Sequence, residues 1–464
     1  MTVHGPLGVT EAGTFELRRD PGLNARTGSS RTRLGLVGLS GLLATGLVVS
    51  VTAAGTDSLL PESVRPVPQW LAGPFGATGL GLGVGALIGV LALMFASYAI
   101  VVQVADRLSA RSVLMCIAAL HALVLLAPPL VSTDVFSYQA YARMGSVYST
   151  NPFVHGPAAI SLDPVYPFIG AKWVSTPTVY GPVFTVLSYA LAHASIAASA
   201  LAYKAIAAVS SLAIVAIVWN AARLRGVDQV KAVALVGLNP LLVVYGVGGG
   251  HNDILMLALM VAGVALLIQH RDRLGAGSIV LATGVKFTAA LLLPFALAGA
   301  GGRLSRSRRR DVLVGVAIAA AAVVALGLAV FGIGPLHLFS SISKSQSEGD
   351  WHSIPGFIST RMGMTTIGRV TGIVLAVAFA GVFCRLLQRV WRGELDWVNA
   401  SAWMMVALLI TASSLLPWYV AWLMPIAALA TDRRLWRVSV VMTGAFLAIQ
   451  VLGYIPHSIS LPGL

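Results

Sequence analysis

Charged residues are scarce in this chain. Asp, Glu, Lys and Arg make up 10% of its 464 residues, against roughly 25% in soluble proteins, whereas 57% are hydrophobic. A chain with so little charge cannot cover a water-facing surface, and this excludes a soluble multidomain protein. We therefore predict an all-α polytopic membrane protein that turns its apolar surface towards lipid.

Cysteine, signal peptides and internal repeats are also lacking. The two cysteines, Cys116 and Cys384, lie inside apolar runs and form no disulfide or metal motif, so we interpret them as small packing residues. The net charge of +14 comes from basic residues in short loops, which argues against a nucleic-acid partner. Residues 1–33 are polar and arginine-rich and show no cleavable signal peptide. They predict a disordered cytoplasmic tail, followed by a single transmembrane domain at 34–464.

The apolar runs predict about 11–13 transmembrane helices, with interfacial helices on the outer side. The clear runs are 34–54, 79–103, 111–131, 200–222, 229–246, 252–270, 311–333, 366–390, 396–416, 418–430 and 435–456.

Basic residues set the predicted orientation. With the N-terminus in the cytoplasm, most of the 31 Lys and Arg residues fall in inside segments, as the positive-inside rule expects. The outer loops then lie at about 55–78, 132–180 and 334–365, and the last of these is interpreted as a short lid. We expect a multi-pass protein of the plasma membrane whose polar site faces outside.

Two more apolar segments fit this orientation only if they do not cross. Segment 274–300 is too short for two spans, so we predict two half-helices that meet at 283–287, where exposed backbone lines a polar cavity. Segment 180–197 is predicted to be an interfacial or re-entrant helix starting at Tyr180-Gly-Pro. The alternative, a crossing at 180–197, would place Arg223 and Arg225 outside.

The stretch Ser132-Thr-Asp-Val-Phe-Ser-Tyr138 follows an apolar run directly, which places Asp134 at the membrane boundary. A helix starting there carries Asp134, Tyr138 and Tyr141 on one face and Arg143 on the other. A base at this depth can reach an acceptor hydroxyl while a lipid phosphate leaves from the membrane side. The alternative is a helix N-cap, because Ser-Thr-Asp is good capping sequence.

The stretch Gly248-Gly-Gly-His-Asn-Asp253 opens a later apolar run at the outer side. Glycines allow close backbone approach, and the N-terminus of the following helix favours anions. His251, Asn252 and Asp253 are therefore candidate ligand-binding residues, with a glycine turn and an Asp cap as the alternative.

Lys286 stands alone in an apolar segment, at the predicted break. A lysine at bilayer depth costs roughly 2.5–3.5 kcal/mol on insertion scales, so it is expected to face a cavity or a partner. It is a candidate for neutralising a lipid phosphate, and a structural pair with Asp253 is compatible with that role.

Other outer-side residues offer hydrogen bonds or stacking surfaces for a sugar, although aromatic belts and solvated charges explain each of them at least as well. The remaining candidate substrate-binding residues are Arg143, His155, Tyr180, Trp351, His352, Trp418 and Tyr419.

Together these stretches resemble the polyprenol-phosphomannose-dependent α-(1→6)-mannosyltransferases of actinobacteria, which have the C-type glycosyltransferase fold. The resemblance covers about residues 79–430 and rests on 132–138, 151–157, 180–182, 239–240, 248–253, 285–286 and 417–419. Phe136 departs from the tyrosine expected in the motif, at a position that does not touch the acid.

The resemblance implies transfer of mannose from polyprenyl phosphomannose to a lipid-anchored α-(1→6)-mannan, as in lipomannan and lipoarabinomannan of the cell envelope. It implies a single inverting displacement at the outer face, with Asp134 as base, Asp253 as a second catalytic acid and Lys286 as phosphate partner. The partners would be the donor, the mannan acceptor and membrane lipids.

Alternatives remain open on the sequence alone. The donor sugar could be arabinofuranose or glucose, because no spacing identifies sugar hydroxyls. A transporter or flippase for a lipid-linked sugar would also use broken helices, although it should show repeated halves. We expect no cofactor, and the absence of an Asp-x-Asp motif disfavours a divalent metal.

Overall fold

The computed structural model describes residues 21–300, 306–347 and 351–453, and these ranges contain helices and loops without a β-strand. The helices are α1 Pro21–Thr52, α2 Val84–Val104, α3 Ala110–Leu126, α4 Asp134–Ser146, α5 Pro182–Tyr189, α6 Ile196–Leu224, α7 Gln229–Gly237, α8 Asp253–Ile268, α9 Asp272–Val285, α10 Leu293–Gly299, α11 Arg306–Phe331, α12 Leu338–Ser347, α13 Ile354–Thr360, α14 Thr365–Trp391, α15 Trp397–Thr411, α16 Met424–Ala428 and α17 Arg433–Gly453.

Fewer of these helices have spanning length than the apolar runs predicted. In the described ranges six helices are long and apolar enough to cross a membrane, within α1, α2, α6, α11, α14 and α17. A seventh span exists if α7 and the π-helix Leu241–Val247, bent by 47°, count as one. Four other apolar helices in these ranges are shorter, at 10–17 residues, so not all of the predicted 11–13 transmembrane helices have spanning length. Gly, Pro and polar residues interrupt the apolar runs and divide them into short pieces.

Two predicted boundaries need correction. Helix α1 begins at Pro21, so the predicted disorder of residues 21–33 is wrong, whereas residues 1–20 lie outside the described part. The predicted span 418–430 is a 3₁₀ helix, Pro417–Trp422, followed by the five-residue α16. Neither piece is long enough to cross a bilayer, which needs about 20 helical residues.

The predicted outer loops contain short helices. Loop 132–180 begins with α4, whose side chains are almost all buried, and continues through three 3₁₀ helices. The predicted lid contains α12 and α13. Of these segments, 132–180 supplies Asp134, Tyr138 and Tyr180 to the site described below.

Segment 274–300 is broken where the sequence predicted. Helix α9 ends at Val285, Lys286 has extended backbone with φ −150° and ψ 127°, and a 3₁₀ helix leads into α10. Arg308 at the start of α11 pairs with Asp272 at 2.7 Å, and Arg273 pairs with Asp311 at 2.8 Å. The start of α9 therefore lies beside the segment that follows α10, as a re-entrant element requires.

Helix α5 confirms that 180–197 contains no full span, because eight residues rise only about 12 Å. The backbone at the start of α5 contacts the backbone of the broken segment 274–300. The Gly181 amide donates to the Val285 carbonyl at 2.9 Å, and a Cβ on Gly181 would lie 2.2 Å from the Gly284 oxygen. Glycine at 181 thus allows the approach that brings Tyr180 towards Lys286.

Ion pairs also join loops that were both assigned to the inside. Arg225, after α6, binds Asp396, before α15, through two hydrogen bonds of 3.0 and 2.7 Å. Like the pairs around α9, this contact joins segments at the predicted cytoplasmic end. Two segments assigned to the outside, 132–180 and 248–253, meet around Asp134, so the two predicted sides correspond to two ends of the molecule.

Asn239 connects three helices in the core. Its side-chain amide donates to Thr443 at 2.8 Å and to Tyr98 at 3.2 Å, while its oxygen accepts from the amides of Leu241 and Leu242. The side chain is fully buried, so no water replaces these bonds.

We predict that Asn239→Ala lowers the free energy of unfolding by about 2 kcal/mol, because it leaves buried polar partners unpaired. Thermal unfolding in detergent checks this. Asn220→Ala is the matched control, since Asn220 is exposed and donates to its own helix, and it should change stability by less than about 0.5 kcal/mol. Equal stability of the two variants would contradict the role of Asn239.

Candidate active site

Asp134 lies where three separate stretches of the chain meet. Its Oδ2 accepts hydrogen bonds from the hydroxyls of Tyr138 and Tyr180, each at 3.3 Å, and contacts Nδ1 of His251 at 3.1 Å. Tyr138 is one helical turn away on α4, whereas Tyr180 precedes α5 and His251 belongs to the glycine turn. The i, i+4 spacing thus gave the first contact, and folding supplied the other two.

The surroundings of Asp134 favour its ionised form. Burial alone would raise the pKa of the carboxyl. The hydrogen bond and charge of His251, the charge of Lys286 and the hydrogen bond with Ser132 outweigh burial and lower the pKa below its usual value. With 16% of its side chain exposed, Asp134 is a carboxylate that a ligand can reach and that can accept a proton.

The glycine turn carries His251 and Asn252 into the same cluster. The His251 ring stacks on Trp418, with ring centroids 3.7 Å apart, and this leaves Nδ1 directed at Asp134. Asn252 accepts from the Tyr138 hydroxyl at 3.3 Å. Trp418 therefore orients the His251 ring. From the sequence it was predicted only to line the site.

Asp253 forms a second, deeper acidic site. Its Oδ1 accepts from Lys286 Nζ at 2.7 Å and from Trp422 Nε1 at 2.8 Å, and its side chain is 1% exposed. The predicted pairing of Lys286 with Asp253 is confirmed. Sequence reasoning did not select Trp422, although it lies in the same aromatic stretch as Trp418 and Tyr419.

Lys286 connects this acid to an apolar cavity. Its ammonium lies 4.8 Å from the centroid of the Tyr419 ring and 5.3 Å from that of Trp422, within cation–π range. The cavity has a volume of about 390 Å³. Lys286 is its charged lining residue, and most of the other lining groups are apolar or aromatic, among them Phe287, Leu291, Ile342, Phe379, Leu408 and Leu415.

Several buried polar atoms in the cluster have no hydrogen-bond partner within the described ranges. They are His251 Nε2, Asn252 Nδ2, Asp253 Oδ2 and Trp418 Nε1. Buried polar groups in proteins are nearly always paired, so four unpaired atoms on adjoining residues indicate a place where a polar ligand binds.

Two predicted binding residues belong elsewhere. Arg143 pairs with the buried Asp163 at 2.7 Å and donates to the Ala192 carbonyl at 2.9 Å. These contacts fasten the 132–180 segment, and the role of Arg143 in substrate binding stays a prediction. His155 is exposed, and no described side-chain contact joins it to the cluster.

Trp351 and His352 also lie apart from Asp134. Their rings are tilted by 31° with centroids 3.9 Å apart, His352 Nε2 contacts the side-chain oxygen of Gln450 at 3.1 Å, and Arg361 lies over the Trp351 ring. These contacts attach the lid to the end of α17. Tyr141 lies nearer the site, since its ring contacts that of Tyr180, but its hydroxyl donates to the Thr176 carbonyl.

Lys204 was not selected from the sequence. A signal existed, since Lys204 lies inside the predicted span 200–222. The argument that selected Lys286, a lone cation in an apolar run, applies to it equally. No group of three or more His, Cys, Asp or Glu side chains in the described part of the chain is arranged to hold a metal ion. Metal independence remains a prediction.

Comparison with known proteins gives matches over most of the chain. The sequence model of the family described as alpha-(1->6)-mannopyranosyltransferase, N-terminal domain, matches residues 32–301, and that of glycosyltransferase family 87 matches residues 178–449. Family 87 is a membrane family of the C type, which confirms the predicted fold class. No solved structure matches the chain.

Individual relatives agree with the family matches. Alpha-(1->6)-mannopyranosyltransferase A of Mycobacterium tuberculosis is 30% identical over 341 residues, which cover 67% of this chain and 64% of the relative. Alpha-(1->6)-mannopyranosyltransferase B of Corynebacterium glutamicum is 26% identical over 384 residues, which cover 73% of this chain and 62% of the relative. The matched part thus spans less than two-thirds of each relative's length.

The Asp253–Lys286 pair predicts a double-variant result. Lys286→Met should lower the free energy of unfolding by about 3–5 kcal/mol, because it leaves a buried carboxylate with one neutral donor. Adding Asp253→Asn removes that charge and should restore most of the loss. Unfolding of both single variants and the double variant in detergent measures the coupling, and strictly additive effects would contradict a direct pair.

Proposed function

Because the chain belongs to the α-(1→6)-mannopyranosyltransferase family, we propose that it is an integral-membrane glycosyltransferase that transfers mannose from polyprenyl phosphomannose to an α-(1→6)-mannan acceptor. The observation that supports this proposal most directly is one connected site that has a polar part and an apolar part. A reachable carboxylate lies among unpaired polar atoms on one side, and a lysine opens into an apolar cavity on the other.

Lys286 and its cavity suit a lipid phosphate donor. A prenyl chain needs an apolar groove, and its phosphate needs a cation that is not screened by bulk water. Lys286 is paired with Asp253 and lies within cation–π range of two aromatic rings. A bound phosphate would compete with Asp253 for the ammonium and would place the sugar towards the glycine turn.

Asp134 suits the role of general base. In the proposed step the acceptor 6-hydroxyl oxygen attacks the anomeric carbon of β-mannosyl phosphate as Asp134 takes its proton. The bond from that carbon to the phosphate oxygen breaks, and polyprenyl phosphate leaves with the electron pair. A single displacement inverts the anomeric carbon and gives an α-mannoside.

The unpaired atoms around Asp134 suit the sugars. His251, Asn252 and Trp418 offer nitrogen atoms to hydroxyl groups, and a buried site with such groups discriminates against a ligand that cannot pair them. Tyr138 and Tyr180 orient the Asp134 carboxylate through its Oδ2 and leave Oδ1 available to a substrate hydroxyl.

The proposed site faces the outside of the cell. The Arg-rich loops and their ion pairs occupy one end of the molecule, and the Asp134 cluster is formed by segments of the other end. With the arginines on the cytoplasmic side, the cluster opens at the outer leaflet.

The first test compares mannose transfer by the wild type and by Asp134→Asn in membranes, with synthetic polyprenyl phosphomannose and a short α-(1→6)-mannoside. Loss of the base should lower kcat by about 10²–10⁴-fold at equal expression. Asp228→Asn is the matched control, because Asn can replace Asp as the cap of α7. Full transfer by Asp134→Asn would remove Asp134 from the chemistry, and donor binding without transfer by the wild type would favour a transporter.

The second test separates the two substrates. Lys286→Met should raise the donor KM about tenfold or more while the acceptor KM changes less than about twofold, because only the donor carries the phosphate. Lys231→Met, which also removes a lysine lying over a tryptophan ring, should leave both values unchanged. The double variant with Asp253→Asn controls for folding, and unchanged donor KM in folded Lys286→Met would contradict the phosphate role.

A further inference from the structure

Lys204 is a second buried lysine, and nothing in the proposed transfer step uses it. Its side chain is 1% exposed, and no carboxylate in the described ranges lies within ion-pair distance of it. Its ammonium donates instead to the backbone carbonyls of Ala127 and Pro128, the latter at 3.1 Å. A lysine kept in the apolar interior on carbonyl contacts alone requires a reason.

The first of these carbonyls, that of Ala127, lies at the C-terminal end of α3. That helix ends at Leu126 because two prolines follow Ala127 and cannot continue its hydrogen bonding. The last carbonyls of a helix are unpaired and carry partial negative charge, so a cation there is favourable. Lys204 thus fixes the place where the chain leaves α3 and turns towards Asp134.

The segment between this contact and Asp134 is strained. Val131 has φ +58°, a left-handed conformation that β-branched residues rarely adopt. Such a conformation persists only where the surroundings enforce it. Here the Leu130 amide donates to Gly248 at 3.1 Å and the Val131 amide to Leu59 at 2.8 Å, while Lys204 holds the upstream end.

The stem of Lys204 contacts the second functional segment. A Cβ on Gly250 would lie 3.1 Å from Lys204 Cγ, so the glycine backbone packs directly on this side chain. Gly250 has φ +66° and immediately precedes His251, which contacts Asp134, and the same turn leads to Asp253. One lysine therefore touches both segments that carry the acids.

We propose that Lys204 is a positioning residue that holds the 127–134 segment and the glycine turn in register, so that Asp134 faces His251 and the bound sugar. This inference rests on the proposed function, because it assumes that Asp134 acts in the transfer step. Lys204 itself does not touch substrate. Its loss should change the rate of the chemical step more than substrate binding, because a small misplacement of a base lowers the rate steeply.

The test is a steady-state analysis of Lys204→Met, which keeps the length of the side chain and removes its charge and donors. We expect kcat to fall about 10–100-fold while both KM values change less than about twofold. Lys204→Arg, which can still donate to the two carbonyls, should recover part of the lost kcat. Lys231→Met is the matched control and should match the wild type.

Several outcomes would overturn the proposal. Unchanged kcat in folded Lys204→Met would do so. A raised KM with unchanged kcat would also do so, because it would make Lys204 a ligand-binding residue of the neighbouring cavity that it lines with Trp70 and Leu126. Wild type and Asp134→Asn are run alongside, so that failure of the proposed function shows as no transfer by wild type or equal transfer by both.

A second variant covers the case in which Lys204→Met does not fold. Val131→Gly removes the strain from the same segment and lets it adopt other conformations, since glycine accepts φ +58° and many other values. It should lower kcat severalfold with donor KM unchanged. Wild-type kcat in folded Val131→Gly would show that a rigid 127–134 segment is not needed.

Discussion

Burial of ionised groups in an apolar protein is the constraint that organises this structure. A carboxylate or an ammonium held away from water is costly unless other groups compensate its charge. Asp134 is compensated by two tyrosine hydroxyls and a histidine, and Asp253 by Lys286 and a tryptophan. Five side chains thus supply hydrogen bonds or charge to two buried acids within one cluster.

Broken and shortened helices make that compensation possible. In a continuous helix, the backbone groups around Lys286 and Asp253 would all be used in helical hydrogen bonds. The two side chains would then not meet. The extended backbone at Lys286, the start of α5 at Gly181 and the left-handed Gly250 instead let three stretches converge. The same interruptions leave six helices of full spanning length in the described ranges, because residues that would lengthen a span form the site instead.

The sequence was most informative where a local pattern has one physical explanation. The length and orientation of segment 274–300 predicted the break at Lys286, the charge of the loops predicted which segments share an end, and four-residue spacing predicted Tyr138 beside Asp134. The family resemblance was confirmed by matches over residues 32–301 and 178–449.

Contacts between distant segments were not predictable in the same way. Arg143 looked like a phosphate ligand because Asp163 is twenty positions away and no spacing rule joins them. Trp351 and His352 looked like sugar-stacking residues, yet His352 contacts Gln450 on the last helix and Trp351 contacts Arg361 in the lid. The argument applied to Lys286, a lone lysine in an apolar run, applies to Lys204 as well. Its partners are backbone carbonyls and not an acidic side chain, so the sequence offered no partner for it.

The most direct test of this account is a structure of the protein with a non-transferable polyprenyl phosphomannose analogue. The account predicts the phosphate within about 4 Å of Lys286 Nζ, as an ion pair requires, with the prenyl chain in the cavity beside Phe287 and Phe379 and the sugar against Asn252 and Asp134. A phosphate bound away from Lys286, or a sugar on the far side of the Asp253 pair from Asp134, would contradict it.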